Sequence, residues 1–314
     1  MRTPRFCFVF VCRRGPLEAR AVLLAASLRR FLPASLGVDL VAALPTPETR
    51  FGCPDEATLR TLDELGVREA PVFNRIADDY PPGFKFDCLG VPTRAPTTIL
   101  LDSDNLMLRS PDDDELAALE RDVAAVPASL AHASEPEWKR IYARCGLPLP
   151  AVDMRLLQSA DPSRPYFNTG LVASRQASRL AAAWTEVALR IDGDPQLPPA
   201  VRRPWLDQLA LPVAAVREGW RITQLDPAWN HPSWAWPRPA GRLPVLYHYQ
   251  HPERFLEDRR VHAIVRELAW SNPRIANVLD GDAKFRPVLA HSWLARKVAR
   301  RVVRELTSRS SQAA

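Results

Sequence analysis

Thr97-Thr98-Ile99-Leu100-Leu101-Asp102-Ser103-Asp104-Asn105-Leu106-Met107 is the stretch of this chain most able to do chemistry. An unbroken apolar run of this kind fits a strand buried on both faces of a mostly parallel sheet, and ligands in such sheets bind beyond the carboxyl ends of the strands. Asp102 and Asp104 stand at that end. Residues two apart in an extended chain point the same way, so the two carboxylates are expected to converge, and converging carboxylates repel unless a cation neutralises them. Oxygen ligands favour Mg2+ or Mn2+. A solvated turn between strands would use the same residue types; the apolar strand in front of the pair favours a site.

Three further patterns follow along the chain. Pro165-Tyr166-Phe167-Asn168-Thr169-Gly170-Leu171-Val172 sets an amide and a hydroxyl before a strand glycine, a position that often marks close approach of another group. Trp205-Leu206-Asp207-Gln208-Leu209-Ala210-Leu211 puts an acid and an amide beside the apolar stripe of an expected helix. Val245-Leu246-Tyr247-His248-Tyr249-Gln250-His251 reads as a strand with a histidine available at its end. His248 is open to two readings, metal ligand or hydrogen-bonded core residue.

The elements that must position these groups alternate. A strand over Phe6–Cys12 is followed by Gly15-Pro16 and a helix with Leu17, Ala21, Leu24, Leu28 and Phe31 on its apolar stripe. A second strand at Val38–Leu44 precedes a helix carrying Leu59, Leu62 and Leu65 and stopped by Gly66; Val72-Phe73 is a short third strand. With Ile99–Leu101, this order predicts an α/β fold with a mostly parallel sheet. Ser110-Pro111-Asp112-Asp113-Asp114 reads as capping of a helix over Glu115–Glu120, and Ser134-Glu135-Pro136-Glu137 as a capping box. The Pro-rich stretch Gly146–Arg164 is expected to be a long loop over the site, an acceptor-side lid.

The chain has 314 residues, 46% of them hydrophobic and 25% charged, which excludes wholesale disorder and suits one large domain or two fused halves. The net charge of +6 rests almost wholly on arginine, since only Lys85, Lys139, Lys284 and Lys297 are lysines. Arginine suits phosphate and other anionic groups, and a compositional habit of the genome would give the same excess. Cys7, Cys12, Cys53, Cys88 and Cys145 show no Cys-x-x-Cys spacing and read as reduced thiols of a cytoplasmic protein. Phe6–Cys12 runs into Arg13-Arg14 without a cleavage site, so it reads as a strand rather than a signal peptide. No segment approaches the roughly 18 apolar residues of a membrane span.

Taken in order, these motifs resemble the GT-A glycosyltransferases, and within them the retaining enzymes of family 8, over roughly residues 6 to 255. Lys85 in Phe84-Lys85-Phe86, Asp102-Ser103-Asp104, Phe167-Asn168-Thr169-Gly170, Asp207-Gln208, Trp229-Asn230 and His248 stand where that family has its ordered set. Lys85 departs from it in lacking a preceding Asn. The resemblance implies a GT-A type mixed, mostly parallel sheet flanked by helices: a nucleotide-sugar-binding half over 1–121, a smaller acceptor-binding half over 122–275, and a basic amphipathic tail over 276–314. It implies transfer of a sugar from a nucleotide-diphosphate sugar, with a leaning to UDP, to a saccharide or lipid-linked glycan, with retention expected.

The resemblance also implies roles. Asp102, Asp104 and His248 would hold Mn2+ or Mg2+, with His251 as the fallback ligand, and the ion would stabilise charge building on the diphosphate. Lys85, Ser103, Asn168, Thr169, Gly170 and Asp207 would complete the donor site. Gln208 would lie beside the reacting carbon, opposite the leaving group; if Asp207 instead deprotonates the acceptor, the outcome is inversion.

Trp220, Trp229, Trp234 and Trp236 crowd one segment and suit either an acceptor subsite or a small core. From Trp293 to Leu306, apolar residues fall on one arc and Arg296, Lys297, Arg300, Arg301 and Arg304 on the other. That helix fits attachment at the inner face of an anionic membrane, or docking on the enzyme. No nucleic-acid recognition motif accompanies the charge, so nucleic acid is not an expected partner. The competing readings are a haloacid dehalogenase-like phosphatase, which also places Asp-x-Asp after an apolar strand, and a non-catalytic sugar-binding module.

Overall fold

A computed structural model describes residues 3–235 and 241–290. The strands are β1 (Phe6–Val11), β2 (Val38–Thr46), β3 (Val67–Phe73), β4 (Thr97–Leu101), β5 (Asn105–Met107), β6 (Ala124–Pro127), β7 (Met154–Arg155), β8 (Pro162–Ser163), β9 (Phe167–Ser174), β10 (Thr223–Gln224), β11 (His231–Pro232) and β12 (Leu246–His248). The helices are α1 (Pro16–Phe31), α2 (Glu48–Phe51), α3 (Glu56–Glu64), α4 (Phe84–Cys88), α5 (Asp113–Leu119), α6 (Glu135–Arg144), α7 (Ala177–Asp192), α8 (Pro199–Arg202), α9 (Leu206–Arg217), α10 (Arg259–Ser271), α11 (Pro273–Gly281) and α12 (Arg286–Leu289).

Seven strands form the main sheet in the order β10-β6-β9-β4-β1-β2-β3. β1 is parallel to both β2 and β4, and β2 is parallel to β3, while β9 runs antiparallel to its neighbours β4 and β6. The result is the mixed, mainly parallel sheet flanked by helices that the sequence predicts. Alternate residues of β1 feed two cores: Phe6, Phe8 and Phe10 pack on one side, Cys7 and Val9 on the other. That two-sided burial is why the central strands are continuous apolar runs.

Three strands in the order β11-β12-β5 make a second, small sheet beyond the end of β4. The expected boundary at residue 121 falls between α5 and β6, and strands on both sides of it share the main sheet. The expected boundary at 275 falls inside α11, which packs with α10 on α1. This cover explains why burial on α1 reaches Val22, Leu23, Ala25 and Ala26, beyond the expected stripe.

Several local expectations need correction. β3 begins five residues before Val72, because an edge strand with Arg68 and Glu69 in solvent carries no apolar run to read. The acidic cap starts its helix at Asp113: Asp112 is the cap, accepting from the Glu115 N–H at 3.0 Å while Glu115 accepts from the Asp112 N–H at 2.9 Å. Glu137 accepts from both the N–H and the hydroxyl of Ser134 at 2.6 Å, as a box would require of it. The Gly146–Arg164 stretch contains the hairpin β7–β8 and is tied to the end of β6 by Leu157 N–H to Ala128 O and Gln158 N–H to Ser129 O. The strand read over Val245–His251 pairs only over Leu246–His248, and Gln250 turns the chain with φ of 57°.

All five cysteines are unpaired. Among the described residues no helix is long and apolar enough to cross a membrane. The basic helix expected over Trp293–Leu306, and Trp236, lie outside the described residues.

Candidate active site

The acidic pair lies in a turn rather than an extended strand. β4 ends at Leu101, and the Asn105 N–H closes on Asp102 O at 3.0 Å, so Asp102 and Asp104 converge across a tight loop into β5. Neighbouring chains fix that loop: the Asp102 N–H donates to Gly170 O at 2.9 Å, and the Asn105 side-chain amide donates to Asp102 O and Gly170 O at 3.1 and 3.0 Å. Ser103, an expected donor contact, donates its hydroxyl to Val11 O at the end of β1. Each bond satisfies a buried backbone group that would otherwise be orphaned by the turn.

β12 delivers the third member of the group. It pairs antiparallel with β5, His248 opposite Asn105, which sets His248 Nε2 3.2 Å from Asp104 Oδ1 and 3.9 Å from Asp102 Oδ2. Ligand atoms of Asp102, Asp104 and His248 lie within 4.8 Å of one another. The fallback His251 is exposed and outside this group. The imidazole gets this close because Gly170 has no side chain: a Cβ there would stand 2.9 Å from both Cε1 and Nδ1 of His248. The glycine that suggested close approach in β9 is therefore explained by His248 and by Asn168 Oδ1, also 2.9 Å from that Cβ position.

Two cations face the acids. Lys85, from α4, places Nζ 2.9 Å from Asp102 Oδ1 and 3.1 Å from Asp207 Oδ2; Arg20, from α1, places a guanidinium nitrogen 3.3 Å from Asp104 Oδ2. Burial works against the Lys85 charge, but Asp102 and Asp207 outweigh it and hold the ammonium above the ordinary lysine value. Burial and the charge of Asp104 raise Asp102 despite Lys85, whereas Asp104 is held down at about 2 because His248, Arg20 and Lys85 overcome its burial. His248 is raised: burial opposes its charge and the two aspartates restore it. Without a metal, the two aspartates thus favour the protonated imidazole more than burial disfavours it.

Asp207, near the start of α9, is only 3% exposed and its carboxylate is fully engaged. Tyr80 donates to Oδ1 at 2.9 Å, while Thr169 and Lys85 share Oδ2 at 2.5 and 3.1 Å. Trp184 Nε1 donates to its backbone carbonyl at 2.9 Å. Gln208 is the next residue on the helix and half-buried. Asn168 accepts through Oδ1 from the Gly170 N–H at 2.8 Å and from Asn230 Nδ2 at 2.9 Å. This leaves the Asn168 amide nitrogen as its donor toward a ligand, and it joins Trp229-Asn230 to the site.

A cleft of about 250 Å3 opens beside Asp102 and Asp104, lined by Val11, Arg13, Leu17, Arg20, Pro81, Phe84 and Lys85 among others. Its walls are mostly apolar and carry cationic groups next to two acids, a lining suited to a ligand with an apolar body and an anionic part. Two carboxylates and one imidazole make a donor set that fits a divalent cation, which Asp102, Asp104 and His248 would hold.

Sequence reasoning missed Arg20 and Tyr80. Arg20 sits between Ala19 and Ala21 just ahead of the apolar run Val22-Leu23-Leu24-Ala25-Ala26, which was its available signal; Tyr80 sits in an aperiodic loop and gave none.

Known proteins bear on this arrangement. No curated protein matches the chain. Among solved structures, the apo crystal structure of mouse xyloside xylosyltransferase 1 aligns with a TM-score of 0.47 at 13% identity, covering 79% of this chain and 97% of that one. The model of the Rhodobacterales glycosyltransferase domain matches residues 8–219, a span that includes Lys85, the Asp-x-Asp turn, Asn168 and Asp207-Gln208, and the chain belongs to that family of glycosyltransferases.

Proposed function

We propose that this glycosyltransferase is metal-dependent, uses a nucleotide-diphosphate sugar, with UDP the favoured carrier, and delivers the sugar with retention to a hydroxyl of a saccharide or lipid-linked glycan. The observation that carries the reading is the meeting of Asp102, Asp104 and His248 at the mouth of a cleft that also holds Lys85 and Arg20. The ordered motifs that resemble family 8 support the same assignment.

A divalent ion held by those three residues would act as a Lewis acid toward the leaving diphosphate. The chain's own groups do the rest. Lys85 pairs with Asp102 and Arg20 with Asp104, so each carboxylate is held by its own cation and the ligand oxygens are set before the donor arrives. The Asn168 amide nitrogen is placed to bind a sugar hydroxyl and orient the anomeric carbon. Asp207, with both oxygens occupied and no exposed face, is suited to positioning Lys85 and Thr169 rather than to taking a proton from an acceptor. That favours same-face attack, with Gln208 beside the reacting centre, over inversion. Against the phosphatase reading stands the family match over residues 8–219, which is to glycosyltransferases.

The test is release of nucleoside diphosphate from a panel of UDP- and GDP-sugars with and without Mn2+. Metal-dependent release from one donor supports the reading. Equal release without metal, or none from any donor, contradicts it.

A further inference from the structure

On the far side of Asp102 from the nucleotide cleft, two large apolar side chains stand in solvent: Trp234, 43% exposed, and Leu130, 42% exposed. Scattered exposed apolar residues are ordinary on a protein surface. These two are joined, because Trp234 Nε1 donates to Ser129 Oγ at 2.9 Å, immediately before Leu130. The bond satisfies the indole's polar edge and fixes the ring, leaving apolar area facing water.

The anchoring leads back to the metal group. Pro232 pairs with His248 across the small sheet, the Ser233 hydroxyl donates to Gln250 Oε1 at 3.0 Å, and Trp234 follows. Ser129 belongs to the loop leaving the carboxyl end of β6, the same edge of the main sheet that carries Asp102 and Asn168. The loop continues to His132, whose ring lies flat on Trp205 at 3.8 Å and 6°, two residues before Asp207. In the order β6-β9-β4-β1, the cleft lies at the β4 and β1 end and this run of side chains at the β6 end.

We infer that Trp234, with Leu130 beside it, is the platform on which a pyranose ring of the acceptor stacks, so that the acceptor is a saccharide and not a bare lipid or polypeptide hydroxyl. The inference rests on the transferase reading above. A sugar presents one face of C–H groups and a rim of hydroxyls. The indole takes the C–H face, and the polar groups of the site meet the rim.

The experiment compares wild type, Trp234→Ala and Trp234→Phe on a saccharide array in the presence of Mn2+ and UDP, with UDP affinity measured separately by calorimetry. The expected result is wild-type retention on a defined set of saccharides, weakened about tenfold in Trp234→Ala and largely kept in Trp234→Phe, with UDP affinity the same in all three. Equal retention by Trp234→Ala would overturn the platform, as would a wild-type protein that binds UDP but no saccharide. If wild type binds no UDP but retains saccharides, the donor site is contradicted and the array comparison still decides the platform; retention of no saccharide by wild type overturns the platform with or without UDP binding.

Discussion

Gly170 and His248 fit together with no room for a methyl group: a Cβ on Gly170 would stand 2.9 Å from two atoms of the imidazole. Gly170 also holds the other side of the site, since its carbonyl accepts from the Asp102 N–H. One residue of β9 therefore sets both the carboxylate turn and the approach of the histidine.

Gly170→Ala is accordingly expected to push His248 off Asp104 while leaving the fold intact, at a stability cost of about 1–3 kcal/mol for the overpacking. Mn2+ affinity measured by calorimetry should fall at least tenfold. Unchanged affinity would mean that the ring moves freely and that the contact sets nothing.

Lys85 is 15% exposed and lies between half-buried Asp102 and buried Asp207, so Lys85→Met removes the cation that both acids share. Breaking a buried pair on one side costs about 3–5 kcal/mol, and thermal unfolding should show a Tm lowered by several degrees. Added Mn2+ should recover part of the loss, because the ion neutralises Asp102; it does not reach the charge left on Asp207.

The pH dependence follows from His248 and Asp104. The pKa of His248 is raised in the folded chain, so its ion pair with Asp104 is fully present below the ordinary histidine value and is lost as pH rises through the raised one. The metal-free protein should lose stability across that rise, while Mn2+ affinity increases because the ion no longer competes with a proton. Asp104 is held at about 2, so its contribution is present above the ordinary carboxylate range and fades only as pH falls toward that value. Melting curves across pH, with and without Mn2+, check both signs; affinity falling as pH rises would contradict them.

Tyr80→Phe removes the phenol that donates to Asp207 Oδ1 and accepts its N–H at 3.0 Å. Leaving those buried groups without a partner should cost about 1–3 kcal/mol. If Asp207 positions Lys85 and Thr169, transfer rate should drop with little change in UDP affinity. A rate equal to wild type would show that Asp207 needs no such support.

Residue type and order made the centre of this site readable. An apolar strand into Asp-x-Asp, a glycine in β9, an acid on an apolar helix and a histidine after a strand each carry a local signal, and the structure brings Lys85, Asp102, Asp104, Asn168, Gly170, Asp207 and His248 to one edge of the sheet. The geometry joining them was less readable. The carboxylates converge through a turn closed by Asn105, whose side-chain amide donates to Gly170 O, 65 residues away. Arg20 and Tyr80 act through partners distant in sequence, Asp104 and Asp207, so no window around either residue contains the contact that defines it. The same reason hid β3, whose partner β2 supplies the pairing that its own polar sequence does not advertise.

The most direct measurement is electron paramagnetic resonance of Mn2+ titrated into the protein with UDP present, for wild type, Asp104→Ala and His248→Ala. One tightly bound ion per wild-type chain, with affinity lost in both variants, is the predicted result. An ion bound equally well by the variants, or none bound by wild type, would contradict the assignment of Asp102, Asp104 and His248 as the metal site.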